Sequence, residues 1–536
     1  MSRDRHRLAR ATATAVATAG LLATTVGSPA SAAPSIDRIS LIPIGTYASG
    51  VFDGSAAEIV AHDPVSQRLF VVNADAGLVD VLDIADPTNP ELIDTIVAAG
   101  SVNSVDVHDG AVAVASQADP AQDPGFVELF DADGNRLSSV QVGALPDMLT
   151  FTPDGTKIVV ANEGEPAGYC EGDAGDPEGS VSTIDVSGGA ENVTQDDVRT
   201  AGFTALNGRA DALRAAGVRI FGTGATVAQD LEPEYVAVDA ASAMAWVSLQ
   251  ENNAFAVIDL ASATVTDIIP LGYKDHSVTR NGLDASDEDG RINIRSWPVQ
   301  GMYLPDGIDA YESSGATFIV AANEGDARDY ECFAEETRIG DLTLDRDVFR
   351  FPGLLQRDDR LGRLRTTTAF PTVEPATELY CFGARSFSIR DEAGNLVYDS
   401  GNDFERITAA ADPENFNSTN DENGSFDSRS DDKGPEPEGV EIGRAFGSTF
   451  AFIGLERVGG IMVYNIDSPS EAQFVDYVNN RDFDGDAEAG TAGDLGPEGI
   501  TFISAADSPI RFPLLVVANE VSGTTTIYKV LPALSR

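Results

Sequence analysis

The sequence has little positive charge, few cysteines and few histidines. Its 536 residues include 35 lysines and arginines against 86 aspartates and glutamates, so the formal net charge is −51. Binding to nucleic acid without sequence preference requires a basic surface, and this charge balance excludes it. The same balance argues against docking on anionic lipid. With three cysteines and four histidines, neither a disulfide scaffold nor a zinc site is expected.

Several catalytic signatures are also missing. The sequence contains no GxSxG, no HExxH, no P-loop and no dinucleotide-binding glycine motif after a strand. The hydrophobic fraction is nevertheless 42%, with 25 phenylalanines and 12 tyrosines, which is enough for a packed core. We therefore expect a folded acidic protein rather than a disordered acidic polymer.

Residues 1–32 have the pattern of a secretory signal peptide. A basic start is followed by an apolar stretch over residues 13–26 and by the small-residue cleavage site ASA at residues 30–32. The alternative is an alanine-rich disordered tail. No later segment has enough consecutive apolar residues to span a membrane, and the C-terminal residues contain no anchor or sorting motif. The sequence therefore predicts a protein that is secreted and released.

The three cysteines leave one thiol over if two of them pair in an exported protein. Cys332 (in YECF) and Cys381 (in LYCF) lie in similar aromatic contexts and are the candidates for a disulfide. Cys170 would then be free or paired with another molecule.

An internal repeat decides the expected fold class. A proline followed by an acidic residue opens an alternating apolar strand at Pro146-Asp147, Pro233-Glu234, Pro305-Asp306, Pro437-Glu438 and Pro497-Glu498. Two degenerate copies without the proline lie around Glu58 and Asn103, which makes seven. The ends of the second strands give the same count, in VVNAD, VASQ, VVANEGE, VSLQEN, VAANEGD, FIGLER and VVANEVS.

Four short strands in a unit of about 45 residues is the period of a propeller blade. The sequence therefore predicts an all-β fold, a seven-bladed β-propeller over residues 35–536. The strand at residues 39–47 is expected to complete the last blade and close the ring, which leaves no open sheet edge. A β-sandwich pair would not explain two seven-fold series in register.

Three insertions lengthen the later units. Residues 190–228 include a predicted helix that ends at Gly217, residues 273–300 form an acidic loop, and residues 327–379 form a long insert. Residues 420–433 are polar and are expected to be flexible. Loop insertions leave a propeller core undisturbed and are places to look for specificity.

Long motifs indicate a family at this point. They are VVANEGEP, GLDASDEDGRINI, VAANEGDARDY, FGARSFSI, SRSDDKGPEPEGVEIG, FIGLERVGGIMVYNI, DLGPEGITFI and LLVVANEVSGTTTIY. The chain resembles the choice-of-anchor I family, which implies a secreted or surface seven-bladed propeller of the YVTN/WD40-like class. The family is similar to an animal mesenchyme-specific cell-surface glycoprotein, and some bacterial members carry an alkaline-phosphatase label. The resemblance implies no established catalytic residues.

The repeated acids are expected to crowd one end of the channel, because the first strand of a blade starts where the second one ends. The inner ring would consist of Asp147, Glu234, Asp306, Glu438 and Glu498. A little further out would lie Glu163, Glu251, Glu324, Glu456 and Glu520. Crowded carboxylates need raised pKa values, arginine partners or a bound cation, and oxygen ligands select Ca²⁺ or Mg²⁺.

The expected ligands of that cation are Asp306, Glu324, Glu438 and Glu498. The alternative is that Pro-acid and Asn-Glu steps are turn chemistry, in which the side chains cap backbone groups. A second calcium candidate is the loop with Asp284, Asp287 and Asp289, which resembles the middle of an EF-hand loop in an imperfect frame. Its alternative is a solvated acidic turn.

Two functions are compatible with these residues. The first is a metal-dependent phosphoester hydrolase, in which Arg328 or Arg385 holds the phosphate and the metal activates water. Both arginines have the alternative role of neutralising neighbouring acids. The second is a non-catalytic extracellular binding or adhesion propeller that calcium stabilises. The strong negative charge opposes self-association, so a monomer is expected.

Overall fold

Short apolar strands recur along the chain and pair into seven four-stranded antiparallel sheets. This count refers to residues 36–170, 172 and 175–533, which the computed structural model describes. The predicted signal peptide, residues 1–32, lies outside the described residues. Six of the sheets use strands in sequence order, and the seventh combines the two ends of the described chain.

The first four sheets, blades 1 to 4, are continuous in the chain. Blade 1 consists of Val60–Asp63, Arg68–Asn73, Leu78–Asp83 and Glu91–Val97. Blade 2 consists of Ser101–His108, Ala111–Gln117, Pro124–Asp131 and Arg136–Ala144. Blade 3 consists of Pro146–Phe151, Lys157–Asn162, Ser180–Asp185 and Val198–Gly202. Blade 4 consists of Val236–Val238, Met244–Leu249, Ala254–Asp259 and Thr264–Pro270.

Blades 5 to 7 carry the larger interruptions. Blade 5 consists of Ile308–Ser313, Ala316–Asn323, Ser386–Asp391 and Leu396–Asp399. Blade 6 consists of Pro437–Ala445, Ser448–Leu455, Ile461–Asn465 and Gln473–Val478. Blade 7 consists of Pro497–Ile503, Leu514–Asn519, Thr524–Pro532 and the N-terminal strand Ile39–Ala48.

The ring closes as the repeat predicted. Ile39–Ala48 pairs antiparallel with Thr524–Pro532 and supplies the outer strand of blade 7. The first strand of each blade contacts the first strands of both neighbouring blades, and blade 7 contacts blade 1 in the same way. The predicted all-β propeller is confirmed, and pairing of the terminal strands covers the edge that an open sheet would expose.

The apolar core is divided among the interfaces between blades. Every two neighbouring blades share one cluster of buried side chains, such as Val71 of blade 1 against Val516 of blade 7. Middle strands are covered on both faces, so Leu514–Asn519 is buried along its whole length. In the outer strand Glu91–Val97, by contrast, only Ile96 is buried.

Partly buried carboxylates also join the inner strands of neighbouring blades. Each accepts a backbone N–H from the next blade: Asp106 from Phe151 at 2.7 Å, Asp309 from Ile442 at 2.9 Å, and Glu441 from Phe502 at 3.0 Å. We call these three the deep acids; they line a channel cavity of about 140 Å³. Buried backbone donors need an acceptor, so these acids are part of the fold.

The predicted helix is present. A 3₁₀ turn over Thr204–Arg209 leads into the helix Ala210–Ala216, which ends at Gly217 with φ of 107°. The predicted bounds of this insertion, 190–228, are too wide at the start, because Val198–Gly202 is the outer strand of blade 3.

The other insertions pack around a core of their own, which includes Leu283, Trp297, Ile339 and Leu361. Their short strands are Tyr273–Asp275, Gln300–Met302, Asp329–Tyr330, Phe333–Ala334, Glu336–Arg338, Arg365–Thr367 and Tyr380–Cys381. The remaining helices are Val227–Asp230, Pro352–Leu355 and Asp403–Ala411. Further 3₁₀ turns are Ala190–Asn192, Gln195–Asp197, Thr279–Asn281, Ile339–Asp341 and Pro469–Glu471.

The segment 420–433 differs from its expected flexible state. Asn420, Asp427 and Ser430 are 3%, 1% and 0% exposed; Asn420 donates to Glu456 of blade 6, and Ser430 donates to Asp427. These polar residues therefore belong to buried hydrogen-bond networks, whereas Asp421, Glu422 and Phe426 of the same segment are exposed.

The candidate disulfide between Cys332 and Cys381 was wrong. Cys332 is bonded to Cys170, and Cys381 is a buried free thiol. Cys381 pairs in a parallel bridge with the strand Gln300–Met302 and belongs to the core of the insertions. Similar sequence contexts did not indicate proximity, because Cys332 lies in the turn between Asp329–Tyr330 and Phe333–Ala334, whereas Cys381 is buried in the core of the insertions.

Candidate metal centre at the channel mouth

All ten acids predicted from the repeat line one cavity of about 630 Å³. We call them the mouth acids: Asp147, Glu163, Glu234, Glu251, Asp306, Glu324, Glu438, Glu456, Glu498 and Glu520. The sequence thus identified the residues of this cavity correctly. Whether they bind a cation stays a prediction.

Strand register explains why the two sets of acids meet. In blade 3, Pro146 lies opposite Asn162, so Asp147 and Glu163 each lie one residue from that pair, on opposite sides of it. The ladder is irregular between Pro146 and Leu149, and blades 6 and 7 have the same irregularity after their prolines. An irregularity of this kind re-aims a side chain, here toward the channel.

The backbone just before the Pro-acid steps is strained. Leu145, Leu304 and Glu436 have φ of 45°, 42° and 51°, a left-handed conformation that such residues rarely adopt. Each costs on the order of 1–3 kcal/mol, and strain of this kind gathers at functional sites. Its recurrence in three blades marks the mouth as a candidate site.

Three mouth acids are close enough to share one ion. Side-chain oxygens of Asp306, Glu324 and Glu438 lie within 4.8 Å of one another. Oε2 of Glu438 is buried and accepts no hydrogen bond, and the same holds for Oε2 of Glu498. Ca²⁺ binds oxygens at about 2.3–2.6 Å, so oxygens at this separation can surround it. Glu498 lines the same cavity but is outside this group of three.

Several mouth acids resist ionisation. Burial, followed by the charges of Glu456 and Glu324, raises the pKa of Glu438 well above its usual range. Burial and then Glu324 raise the pKa of Asp306 in the same way, and burial raises the pKa of Asp147 to about 7. A bound cation would favour the charged forms and relieve this repulsion.

Three of the described residues that line the cavity are cations, and two of them, Lys433 and Arg457, pair with acids at its rim. Nζ of Lys433 lies 2.7 Å from Glu324 and 3.4 Å from Glu436. Arg457 contacts Glu436 at 3.1 Å and Glu456 at 3.0 Å. Burial alone would raise the pKa of Glu436, but Lys433, Arg429 and Arg457 lower it to about 2.

The two arginines proposed as a phosphate clamp are not brought together. Arg328 lines the cavity, but its guanidinium donates to Glu232 at 3.0 Å and to the carboxylate of Asp230. Arg385 does not line the cavity; it donates to Glu405 at 2.6 Å and to backbone carbonyls in the insertions. In this structure both arginines have the neutralising role that was the alternative.

The loop with Asp284, Asp287 and Asp289 lies in the insertions, apart from the mouth. Asp287 forms two bonds with Arg363, at 2.9 and 2.7 Å. Asp284 accepts from the backbone N–H of Asn293, whose side chain donates to Asp289 at 2.7 Å. The three carboxylates therefore do not converge as in an EF-hand, because Arg363 occupies Asp287.

Sequence reasoning missed three residues of the cavity region. Gln250 donates to Glu324 at 2.9 Å, and Tyr330 donates to Glu165 at 2.6 Å across the cavity wall. Glu436 binds the rim cations, and its signal was present as the doubled step in GPEPEG. The Tyr330 contact had no sequence signal, because it joins a blade 3 loop to a distant insertion.

Within the described residues no helix is long and apolar enough to cross a membrane.

Among solved structures, Kuenenia stuttgartiensis hydrazine synthase matches with a TM-score of 0.47 and 12% identity, over 90% of this chain and 99% of that one. The WD40 domain of Toxoplasma gondii coronin matches with a TM-score of 0.45 and 8% identity, over 94% of this chain and 90% of that one.

Two curated relatives resemble parts of the chain. Gigasin-3a of Magallana gigas is 32% identical over 193 residues, which are 33% of this chain and 66% of that protein. The mesenchyme-specific cell surface glycoprotein of Strongylocentrotus purpuratus is 28% identical over 287 residues, 45% of this chain and 35% of that protein. This chain thus spans less than two thirds of either relative. The model of the choice-of-anchor I domain matches residues 58–469, so the chain belongs to the choice-of-anchor I family.

Proposed function

We propose that this protein is an extracellular β-propeller that binds a hard divalent cation, Ca²⁺ before Mg²⁺, at the mouth of its channel. The observation that carries the proposal is the group of Asp306, Glu324 and Glu438, whose oxygens lie within 4.8 Å of one another. Oε2 of Glu438 is buried there without a hydrogen-bond donor. A cation supplies the missing partner and offsets the repulsion among the mouth acids.

The lining of the cavity favours a hard ion. Among the described residues that line it there is no histidine or cysteine, and the side-chain donors to a metal are almost all carboxylates. Oxygen ligands select Ca²⁺ and Mg²⁺ over transition metals. Ca²⁺ accepts about six to eight oxygens in irregular geometry, whereas Mg²⁺ requires a near-ideal octahedron, so a crowded ring suits Ca²⁺ better.

Of the two functions expected from the sequence, non-catalytic binding fits the geometry better than phosphoester hydrolysis. Hydrolysis needs cationic donors that are free to hold the phosphoryl oxygens. Arg328 is committed to Asp230 and Glu232, and Arg385 lies outside the cavity. We therefore propose that the bound cation stabilises the mouth and contacts an anionic extracellular ligand.

Two observations support an extracellular location. The Cys170–Cys332 disulfide is of a type that persists in oxidising compartments. The Strongylocentrotus purpuratus relative is named as a cell surface glycoprotein.

Calcium titration of the chelator-treated protein by calorimetry tests the proposal, with E438Q as the variant. Loss of one ligand charge should weaken the affinity at the mouth by about tenfold or more. The matched control is E312Q, because Glu312 is exposed at the far end of the inner strand of blade 5. E438Q that binds as the wild type would rule out the site.

Aryl-phosphate hydrolysis measured on the same samples separates the two functions. We expect no turnover with or without Ca²⁺. Turnover that requires Ca²⁺ and disappears in E438Q would replace the binding function by hydrolysis at the same cation.

A further inference from the structure

Among the buried side-chain oxygens of the insertions that have no hydrogen-bond donor, three belong to one network. They are Asp284 Oδ1, Asn417 Oδ1 and Asp427 Oδ2, and their residues are at most 1% exposed. Asp284 belongs to the insertion 273–300, whereas the other two follow the helix Asp403–Ala411. We call these three oxygens the insertion cage. A buried acceptor left without a donor costs about 1–3 kcal/mol, so three in one network require a partner.

A hydrogen-bond network joins the three side chains. Glu405 accepts from the backbone N–H of Asp284 at 3.0 Å and from Nδ2 of Asn417 at 3.3 Å. Nδ2 of Asn417 also donates to Ser430 Oγ at 2.9 Å, and that hydroxyl donates to Asp427 Oδ1 at 2.6 Å. The network thus orients each side chain through its other polar atoms and leaves only acceptors in the cage.

The nearby cations are committed elsewhere. Arg385 pairs with Glu405 at 2.6 Å, and Arg363 pairs with Asp287 at 2.7 Å. Neither donates to the carboxylate of Asp284 or of Asp427. Two buried carboxylates therefore accept no hydrogen bond from a cationic side chain, which is unfavourable for their charged forms unless a cation joins them.

Burial and neighbouring acids raise the pKa of both Asp284 and Asp427. Burial and then Glu405 raise the pKa of Asp284 to about 8. Burial raises the pKa of Asp427 to about 7, with further contributions from Asp289 and Asp287. Asp289, whose side chain is 3% exposed, lies beside the network through Asn293, which donates to both Asp284 and Asp289.

We infer that the insertion cage is a second, structural Ca²⁺ site, formed by Asp284, Asn417 and Asp427 and separate from the mouth acids. Oxygen-only ligands from irregular loops are the donor set that Ca²⁺ takes. The ion would join the insertion 273–300 to the segment after the helix Asp403–Ala411. The original loop prediction is thereby revised: Asp284 stays a ligand, Asp287 is replaced by partners that are distant in sequence, and Asp289 lies beside the site.

Terbium luminescence excited through tryptophan can report this site directly. Trp297 packs with Leu283 and Ala285, the residues on either side of Asp284. The second tryptophan, Trp246, belongs to the interface between blades 4 and 5. Tb³⁺ occupies Ca²⁺ sites, so its emission should rise on titration of the chelator-treated full chain and should fall when Ca²⁺ is added.

The decisive variant is D427N, which keeps the volume of the side chain and removes one ligand charge. We expect its half-saturation for Tb³⁺ to shift by about tenfold or more. D287N is the matched control from the same loop, since both oxygens of Asp287 are held by Arg363. D427N that titrates as the wild type, or D287N whose half-saturation shifts as far as that of D427N, would overturn the inference.

Two further measurements keep the test independent of folding and of the mouth site. In W297F we expect the emission to disappear while Ca²⁺ still raises the melting temperature; emission that persists would place the ion elsewhere. The calcium content after dialysis should be two ions in the wild type and one in either E438Q or D427N. Emission lost in E438Q but kept in D427N would assign the signal to the mouth and reject the insertion cage.

Discussion

Blade 5 carries two aspartates with opposite surroundings, three residues apart. Asp306 lies at the channel mouth, where its oxygens and those of Glu324 and Glu438 approach within 4.8 Å. Asp309 is a deep acid and accepts the backbone N–H of Ile442 from blade 6 at 2.9 Å. The role of a carboxylate in this fold therefore depends on the donor that the neighbouring blade offers, and residue type alone does not indicate it.

Blade 6 repeats the comparison. Glu438 leaves Oε2 without a donor at the mouth, whereas Glu441 accepts the N–H of Phe502 from blade 7 at 3.0 Å. The deep acids thus replace a missing backbone partner and belong to the fold. The mouth acids have an excess of acceptors, which an added cation can use.

The largest effect is expected from substitution of a deep acid. D309A removes the acceptor of the Ile442 N–H, so the free energy of unfolding should fall by about 1–3 kcal/mol. D309N keeps an acceptor oxygen and should lose less. Urea denaturation of both variants measures the difference. D309A as stable as the wild type would show that the bond between blades 5 and 6 is unimportant.

At the mouth, by contrast, we expect a substitution to raise the free energy of unfolding. In the absence of divalent cations, E438Q should raise the free energy of unfolding by about 1 kcal/mol, because it removes one of several repelling charges. The same variant should lose part of the stabilisation that Ca²⁺ gives to the wild type. Thermal unfolding with and without chelator measures both effects, and a lower melting temperature for chelated E438Q would contradict the repulsion.

A smaller effect is expected from pH. Burial raises the pKa of Asp309 from its usual 3.8 to about 7, so the folded state retains a proton that the unfolded state releases between these values. The contribution is fully present below the unfolded pKa and is lost as pH rises through the folded one. D309N should therefore show a shallower fall in stability between about pH 4 and 7 than the wild type. Equal slopes in chelated samples would contradict the shift.

The smallest effect is expected from the disulfide. Cys170–Cys332 holds the wall of the mouth near Tyr330, which donates to Glu165. C332S should weaken calcium binding at the mouth by less than about tenfold and leave the pH dependence due to Asp309 unchanged. Calorimetry measures the calcium affinity, and unfolding curves measure the pH dependence of stability. A changed pH dependence would show that the wall of the mouth and the deep channel are coupled.

Much of the fold was predictable because the repeat motifs recur along the sequence. Pro146-Asp147 and Asn162-Glu163 are parts of one blade, and their relative position follows from antiparallel pairing within that blade. The closing strand was predictable for the same reason, since blade 7 had one strand too few.

The partners of the charged side chains were not predictable. Arg328 binds Asp230 and Glu232 from a position about a hundred residues away, and Arg385 binds Glu405, which lies 20 residues further along the chain beyond the last strands of blade 5. The disulfide partner of Cys332 was missed in the same way. These contacts join segments whose spacing in the sequence does not follow the blade repeat.

The sequence by itself determined the blades, the order of their strands and the end of the channel at which the acids collect, since each follows from local periodicity and strand register. Only the tertiary structure decided which acids are satisfied and which are not. A deep acid such as Asp309 finds its donor on the next blade, and Asp284 is joined to the segment of Asp427 only through Glu405 and Asn417, which are distant from it in sequence. The reason is that a charge is stabilised by what surrounds it in space, and closing the ring is what brings those surroundings together.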